Sequence, residues 1–386
     1  MKRIRQYTWA LLLFVFCFPA SNTSAGSTPE LRRGVNLSHW LQYWGRQPVV
    51  AADMTLIRSA GFDHVRVPFD PEKLGWNPDS PSPTIDWTSL DNALNIALSA
   101  GLTVILDFHP EFALSQRIQN EESVRIAYLA FWDALAKHFA TRPAEKVAIE
   151  IFNEPSFWES DGPARLGALE QEALARIRKS MRRHLVLLPG PHGGFISGLV
   201  MMTPVADTNV RYVFHFYEPF LFTHLNAPFE PHLSGPEGMI TNLVYPSKSA
   251  LKKVKLLPNA DATIALAAVR QYEQENWGAT RLKQEIGKAQ AWAKNNGVSV
   301  ICTEFGAIRF GPDPVSRQNW LRDFRAAMDS FRIGWTVWDY ADLFGVATAT
   351  DGMVTPWSNP AIVPRDPSNP KRAFDQGALR ALGIIR

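Results

Sequence analysis

The segment Ile149-Glu150-Ile151-Phe152-Asn153-Glu154-Pro155 is an apolar strand pattern that ends in an Asn-Glu pair closed by proline. Far downstream a second apolar run, Val298-Ser299-Val300-Ile301-Cys302-Thr303-Glu304-Phe305-Gly306, delivers another glutamate at its end. One strand-end glutamate is usually a solvated charge. Two carboxyl groups brought by two strand ends to one place are what acid-assisted glycoside cleavage through a covalent intermediate requires.

Such a pair works only if the two strands converge, so the elements that carry them matter next. Strand-like apolar runs alternate along the chain with helix-like periodic ones, the pattern of a parallel sheet with crossover helices. Eight strands are expected near residues 33–37, 64–68, 103–107, 147–152, 185–188, 210–216, 298–303 and 334–338. Amphipathic helices are expected at 88–100, 124–140, 165–181, 280–295 and 316–330. Gly101 and Gly297 follow two of these as stops, and Asp86-Trp87-Thr88 offers an N-terminal cap to the first. The fifth unit is the least regular, because 193–202 is short and glycine-rich.

Eight strand–helix units predict an α/β protein built on a single (β/α)8 TIM barrel, a fold that typically takes about 250 residues. The 386-residue chain exceeds this, and the surplus is expected in long loops at 218–277, after the sixth strand, and 341–372, after the eighth. Both follow strand C-termini and would wall the face where barrels do chemistry. An open doubly wound sheet is the alternative, but neither a glycine-rich dinucleotide fingerprint nor a phosphate loop is present.

On a barrel, polar residues at strand C-termini face the catalytic mouth. Arg66 falls near the end of the second strand, His109 just past the third, and Asn153 and Glu154 at the end of the fourth. His215 and Tyr217 end the sixth, Glu304 the seventh and Trp338 the eighth. The two-residue period of a strand aims Asp107 with His109, and His215 with Tyr217. Each residue alone could be a solvated charge or a packed ring. Their joint arrival from six of eight strands points to one shared site.

The strings Arg32-Arg33-Gly34-Val35-Asn36-Leu37, Val65-Arg66-Val67-Pro68-Phe69, Ile105-Leu106-Asp107-Phe108-His109, Phe152-Asn153-Glu154-Pro155, His215-Phe216-Tyr217, Thr303-Glu304-Phe305-Gly306 and Trp335-Thr336-Val337-Trp338 resemble glycoside hydrolase family 5. This is the cellulase-type family of a barrel clan with catalytic glutamates on strands four and seven, and the matches run in order from residue 32 to about 340. The resemblance implies that Glu154 is the general acid/base and Glu304 the nucleophile, flanked by Arg66 and Tyr217, which would keep it ionised. It implies that Asn153 bonds the sugar 2-hydroxyl, that His109 and His215 bind hydroxyls or orient the carboxylates, and that Trp338 floors the ring. Retention of configuration would follow, with carboxyl groups roughly 5 to 5.5 Å apart and no metal or cofactor. Phe152 and Pro155 are expected to help keep Glu154 protonated.

The resemblance leaves the substrate open. Endo-acting hydrolysis of β-1,4-glucan is the first expectation, with β-mannan or β-1,3-glucan possible on the same core. A polysaccharide-binding protein that has lost catalysis is the alternative of another class. Ser38-His39-Trp40 and Pro110 depart from the family pattern near the inner glycone subsites, where His39 could hold sugar or cap its loop. Trp40, Trp44, Trp76, Phe112, Trp158, Phe220 and Phe222 are expected either around the mouth, where rings suit sugar faces, or in loop packing. Asp107, His109 and His215 could converge on a metal, but no His-x-His pair on the first strand and no bridging lysine support that.

Composition bounds the setting. Lys2, Arg3 and Arg5, the apolar run from Trp9 to Phe18 and the small residues up to Ala25 read as a secretory signal at 1–25, followed by one catalytic domain at 26–386. Taking those three basic residues from 40 leaves 37, equal to the 37 acidic ones, so the mature balance favours neither nucleic acid nor an anionic membrane. Cys17 leaves with the signal, and Cys302 reads as a buried small hydrophobe, so a large core must replace disulfides. A monomer released to the periplasm or beyond is expected.

Overall fold

The computed structural model describes residues 28–42, 48–80, 82–227, 239–258, 260–355 and 358–385; the expected secretory signal lies outside them. Eight parallel strands close into a barrel: β1 Arg33–Asn36, β2 His64–Phe69, β3 Thr103–Phe108, β4 Val147–Glu150, β5 Leu185–Pro189, β6 Val210–Phe216, β7 Val300–Phe305 and β8 Gly334–Val337. Each strand pairs with its neighbours in order, and β1 closes on β8 with Arg33 opposite Trp335. All eight expected strands are present.

The crossover helices are α1 Ala51–Ala60, α2 Thr88–Ser99, α3 Glu122–Phe139, α4 Gly162–Arg178, α5 Ile196–Leu199, α6 Ala279–Asn296 and α7 Pro314–Phe331, with α8 Gln376–Ala381 after them. The fifth crossover is only one turn, as its short glycine-rich segment foretold. Trp87 takes the N-cap position of α2 without a side-chain cap, and Asp86 just before it accepts from the Thr88 N–H at 2.9 Å. Gly297 ends α6 at φ 66°, a left-handed conformation glycine adopts without steric cost.

Strand alternation sorts the residues into two cores. Ile105, Ala148, Leu185, Leu187, Val213 and Ile301 fill the inside of the barrel, while their neighbours Leu106, Ile149, Leu188 and Phe214 face outward to join side chains of the helices. Two residues further along, the inward positions turn polar: Asp107 above Ile105, Glu150 above Ala148, His215 above Val213 and Thr303 above Ile301. Lower down, buried His64 reaches Thr336 across the barrel at 2.8 Å. Gly34 makes room for it, since a Cβ there would lie 2.1 Å from the His64 ring.

The two surplus regions carry structure of their own. The first holds the paired strands Ile240–Thr241 and Lys255–Leu256 and the helix Ala262–Gln274; in the second, Ala347–Ala349 pairs with Arg372–Phe374. They meet around Tyr217, where Ala227 from one side and Leu343 and Phe344 from the other form a buried cluster. Arg372 is anchored on Asp53 of α1 at 2.7 Å, and Tyr340 donates to the same carboxylate at 2.8 Å. Among the described residues, no helix is long and apolar enough to cross a membrane.

Candidate active site

Arg66 is fully buried midway along β2, three residues short of its end rather than near it, and its long side chain reaches up to organise the mouth. Its Nε and Nη2 donate to the two oxygens of Glu150 at 2.8 and 2.9 Å, Nη2 lies 2.9 Å from Asp107, and Nη1 reaches Glu304 Oε1 at 2.6 Å. Asn36 and Asn153 accept from it as well, at 3.0 and 2.8 Å. A planar fork with five donors suits this ring of acceptors, which a lysine could not span. Burial alone would lower the Arg66 pKa, but Asp107, Glu150 and Glu304 outweigh it and raise it well above its ordinary value.

Glu304, near the end of β7, has both oxygens engaged: Oε1 by Arg66 and Oε2 by the Tyr217 hydroxyl at 2.9 Å. Burial pushes its carboxyl up, yet the charges of His215 and Arg66 prevail and hold it below the usual glutamate value. Tyr217 is buried beside that carboxylate, so its own pKa is raised and its proton stays available to donate. Glu304 is thus a buried, ionised carboxylate.

Glu154 sits in a different setting. It follows β4 with φ 42°, uncommon for a residue with a Cβ, and the turn behind it is pinned by His192 N–H to Ser156 O at 2.8 Å and Gly193 N–H to Pro155 O at 3.0 Å. Its side chain is 41% exposed and faces His215, whose Nδ1 lies 2.8 Å from Oε1. Of the two apolar neighbours expected around Glu154, Phe152 turns away into the core against Phe108 and Tyr128, while an imidazole faces the carboxyl. An irregularity in register between Phe214 and His215 sets His215 opposite Glu304, with Nδ1 3.7 Å from Glu304 Oε2. Burial lowers the His215 pKa; Glu304 and the bond to Glu154 overcome this and raise it. One oxygen each of Glu154 and Glu304 and one nitrogen of His215 all lie within 4.8 Å of one another.

Asn153 is fixed between Arg66, which its Oδ1 accepts from, and His109 Nε2, 3.1 Å from its Nδ2. His109 in turn holds Asp107 through Nδ1 at 2.8 Å, and its ring lies against Trp338 with centroids 6.0 Å apart. Trp338 stands just past β8, and Gly306 packs so closely that a Cβ would fall 2.2 Å from the Trp338 carbonyl oxygen. Behind Trp338, buried Asp339 accepts from Ser38 Oγ at 2.6 Å and from the Asp342 N–H at 3.0 Å. Burial and the adjacent Asp342 push Asp339 up to about 7. His39 Nδ1 meets the Asp342 carboxylate, which ties it to this loop.

All eight expected site residues therefore surround one mouth, and three that the strand ends did not single out join them. Asn36, Glu150 and Thr303 are buried polar groups bonded to Arg66, to His215 or to the strands beside them. Their signal was a polar residue at an inward-facing position of an otherwise apolar strand. The aromatic expectation divides. Trp76 packs in the core against Phe108 and Phe131, and Phe222 is buried against Tyr245, so neither lines the mouth. Phe112 and Trp158 are exposed, with Trp158 stacked flat on His192 at 4.7 Å; Phe220 lies beside Tyr217, and Trp40 is half-buried against the core. Trp44 lies outside the described residues. His109 turns to Asp107 while His215 turns to Glu154 and Thr303, so the metal trio considered from sequence does not converge.

Residues 23–343 match the family profile of cellulase (glycosyl hydrolase family 5). Endoglucanase 3 of Fibrobacter succinogenes is 26% identical over 338 residues, which cover 82% of this chain but 50% of that protein, so the chain spans half the length of this relative. Endoglucanase C of Acetivibrio thermocellus is 25% identical over 329 residues, covering 81% of this chain and 91% of its own. Among solved structures, the endoglucanase Cel5A of Thermotoga maritima superposes with a TM-score of 0.68 at 23% identity, covering 91% of this chain and 97% of its own, a likeness of fold. The profile match runs through both strand-end glutamates, and the chain belongs to the cellulase family, glycosyl hydrolase family 5.

Proposed function

We propose that the protein is a retaining endo-β-1,4-glucanase working by double displacement, with Glu154 as acid/base and Glu304 as nucleophile. The observation that carries this reading is the approach of the two carboxylates, an oxygen of each lying within 4.8 Å of the other. That separation leaves no room for the water an inverting enzyme places between its carboxyl groups, which stand about 6.5–9.5 Å apart. Glu154 protonates the departing glycosidic oxygen while Glu304 attacks the anomeric carbon; water, deprotonated by Glu154, then releases the sugar from Glu304. Asn153 holds the 2-hydroxyl, His109 and His215 orient the groups around it, and Trp338 floors the ring. The β-1,4 preference rests on relatives named endoglucanases, and β-mannan or β-1,3-glucan would use the same core. The enzyme acts on its polysaccharide as a monomer without cofactor, as one domain over 26–386, exported by the segment at 1–25.

A panel of β-glucans and β-mannan with product sizing tests the reading, with NMR following the first anomer released. Mid-chain cleavage of β-1,4-glucan with the β-anomer appearing first is expected. First release of the α-anomer overturns the mechanism, and oligosaccharide binding without any reducing-sugar release would make the chain a binding protein.

A further inference from the structure

We propose that Thr303 and Glu150 are positioning residues that lock His215 in the tautomer with its proton on Nε2, leaving Nδ1 to share the catalytic proton of Glu154. The inference rests on the reading of Glu154 as acid/base. It begins at Glu150: burial raises its pKa, but its two oxygens accept from Arg66 at 2.8 and 2.9 Å, a bidentate pairing that holds it as a carboxylate with no proton to give. The Thr303 hydroxyl lies 3.1 Å from Glu150 Oε1, so it must donate there, and it has only one hydrogen. Its oxygen can then only accept from His215 Nε2, 3.1 Å away, and Nε2 therefore carries hydrogen whatever the charge of the ring. The opposite neutral tautomer would set a ring lone pair against the lone pairs of a buried hydroxyl.

Nδ1 is left facing Glu154 Oε1 at 2.8 Å with one proton between them. Either the Glu154 acid donates to the ring lone pair, or the imidazolium donates to the Glu154 carboxylate. When Glu154 gives its proton to the leaving oxygen, the carboxylate is left against a bare nitrogen rather than a donor. That arrangement favours the return step, in which Glu154 takes a proton from water and the pair is restored. The other charged or titratable groups that face His215 are Glu304 from β7 at 3.7 Å, Arg66 from β2, Glu150 from β4 through Thr303, and Tyr217, bonded to Glu304. Packing holds the ring in place, with its backbone N–H on Gly194 O at 2.8 Å, but packing does not choose between tautomers.

Thr303→Val keeps the shape and removes both hydrogen bonds, and Thr303→Ser keeps the hydroxyl. Long-range 1H–15N NMR of the His215 ring, identified by its loss in His215→Asn, should show Nε2–H in the native enzyme at every pH and a mixture of tautomers in Thr303→Val. On aryl β-cellobiosides, kcat/KM reports the first chemical step. Thr303→Val should lose about tenfold or more for a phenol leaving group, which needs the proton. It should stay near native for a dinitrophenol, which does not, and Thr303→Ser should restore the first value. An Nδ1–H tautomer in the native enzyme, or an equal loss on both leaving groups, overturns the proposal. Should Thr303→Val fail to fold, the native NMR and Thr303→Ser decide it. Should the native enzyme cleave neither glycoside, the functional reading fails, while the tautomer measurement still decides whether Thr303 positions the ring.

Discussion

Glu154 and Glu304 are the same side chain placed in two settings. Glu304 is buried against Arg66 and Tyr217, whereas Glu154 is 41% exposed and faces an imidazole. On the proposed roles, Glu304→Gln removes the nucleophile and should lower turnover by orders of magnitude on every substrate. Glu154→Gln should lose about 10²- to 10⁴-fold on unactivated glycosides, with much smaller losses of kcat/KM on activated aryl leaving groups; steady-state kinetics on the two substrate types check this. The pH dependence follows from the same groups. On the proposed roles catalysis needs Glu304 ionised, and its pKa is depressed from the ordinary 4.5, so activity should be lost only as pH falls below that range. It also needs the proton shared by Glu154 and His215, and the His215 pKa is raised from the ordinary 6.5, so the alkaline limb should lie above that value. A profile of kcat/KM against pH with either limb on the other side of its ordinary value would contradict this assignment.

At the scale of elements, the ends of β7 and β8 must touch for Trp338 to lie where it does. Gly306→Ala would drive a methyl into the Trp338 carbonyl, 2.2 Å away, and into Phe344 at 3.3 Å. Overpacking of this kind costs about 1–3 kcal/mol, and the displaced ring should also raise KM; calorimetry and kinetics read the two effects separately. The loop after β8 carries its own titration. Asp339 stands at about 7 in the fold against 3.8 for a free side chain, so the unfolded chain releases its proton first. Stability contributed by the protonated form is therefore lost as pH rises from about 4 to about 7 and levels off above. Asp339→Asn, which resembles the protonated acid, should show a melting temperature that varies less with pH across that window, and an unchanged slope would rule out Asp339 as the titrating group.

For the molecule as a whole, apolar packing and the proposed active site lie at opposite ends of the same barrel strands. Apolar side chains and the buried His64–Thr336 pair fill the lower interior, and a charged layer around Arg66 fills the upper. The region after β8 is tied to α1 by the buried pair of Arg372 and Asp53. Arg372→Ala would leave Asp53 buried without its cation, a loss of about 3–5 kcal/mol. Chemical denaturation should show that loss, and because the pair does not touch the mouth, kcat at low temperature should change little.

The order of strands and helices was legible because each strand is a short apolar run and each long helix has one apolar face. The residues of the mouth were legible because a parallel barrel sends every strand end to one side. Less could be read where the answer depends on which partner a side chain meets. Trp76 and Phe222 look like mouth aromatics in the chain, but they turn into the core. Glu150 and Thr303 look like stray polar residues in apolar strands until barrel closure brings β2, β4 and β7 around Arg66 and His215. Sequence alone thus settled the eight barrel strands and which strand ends carry carboxyl groups, since both follow from local pattern, but not the short strands and helix of the two surplus regions. Tertiary structure decided which carboxylate is ionised and which faces an imidazole, because those states depend on distances of a few ångströms between residues far apart in the chain.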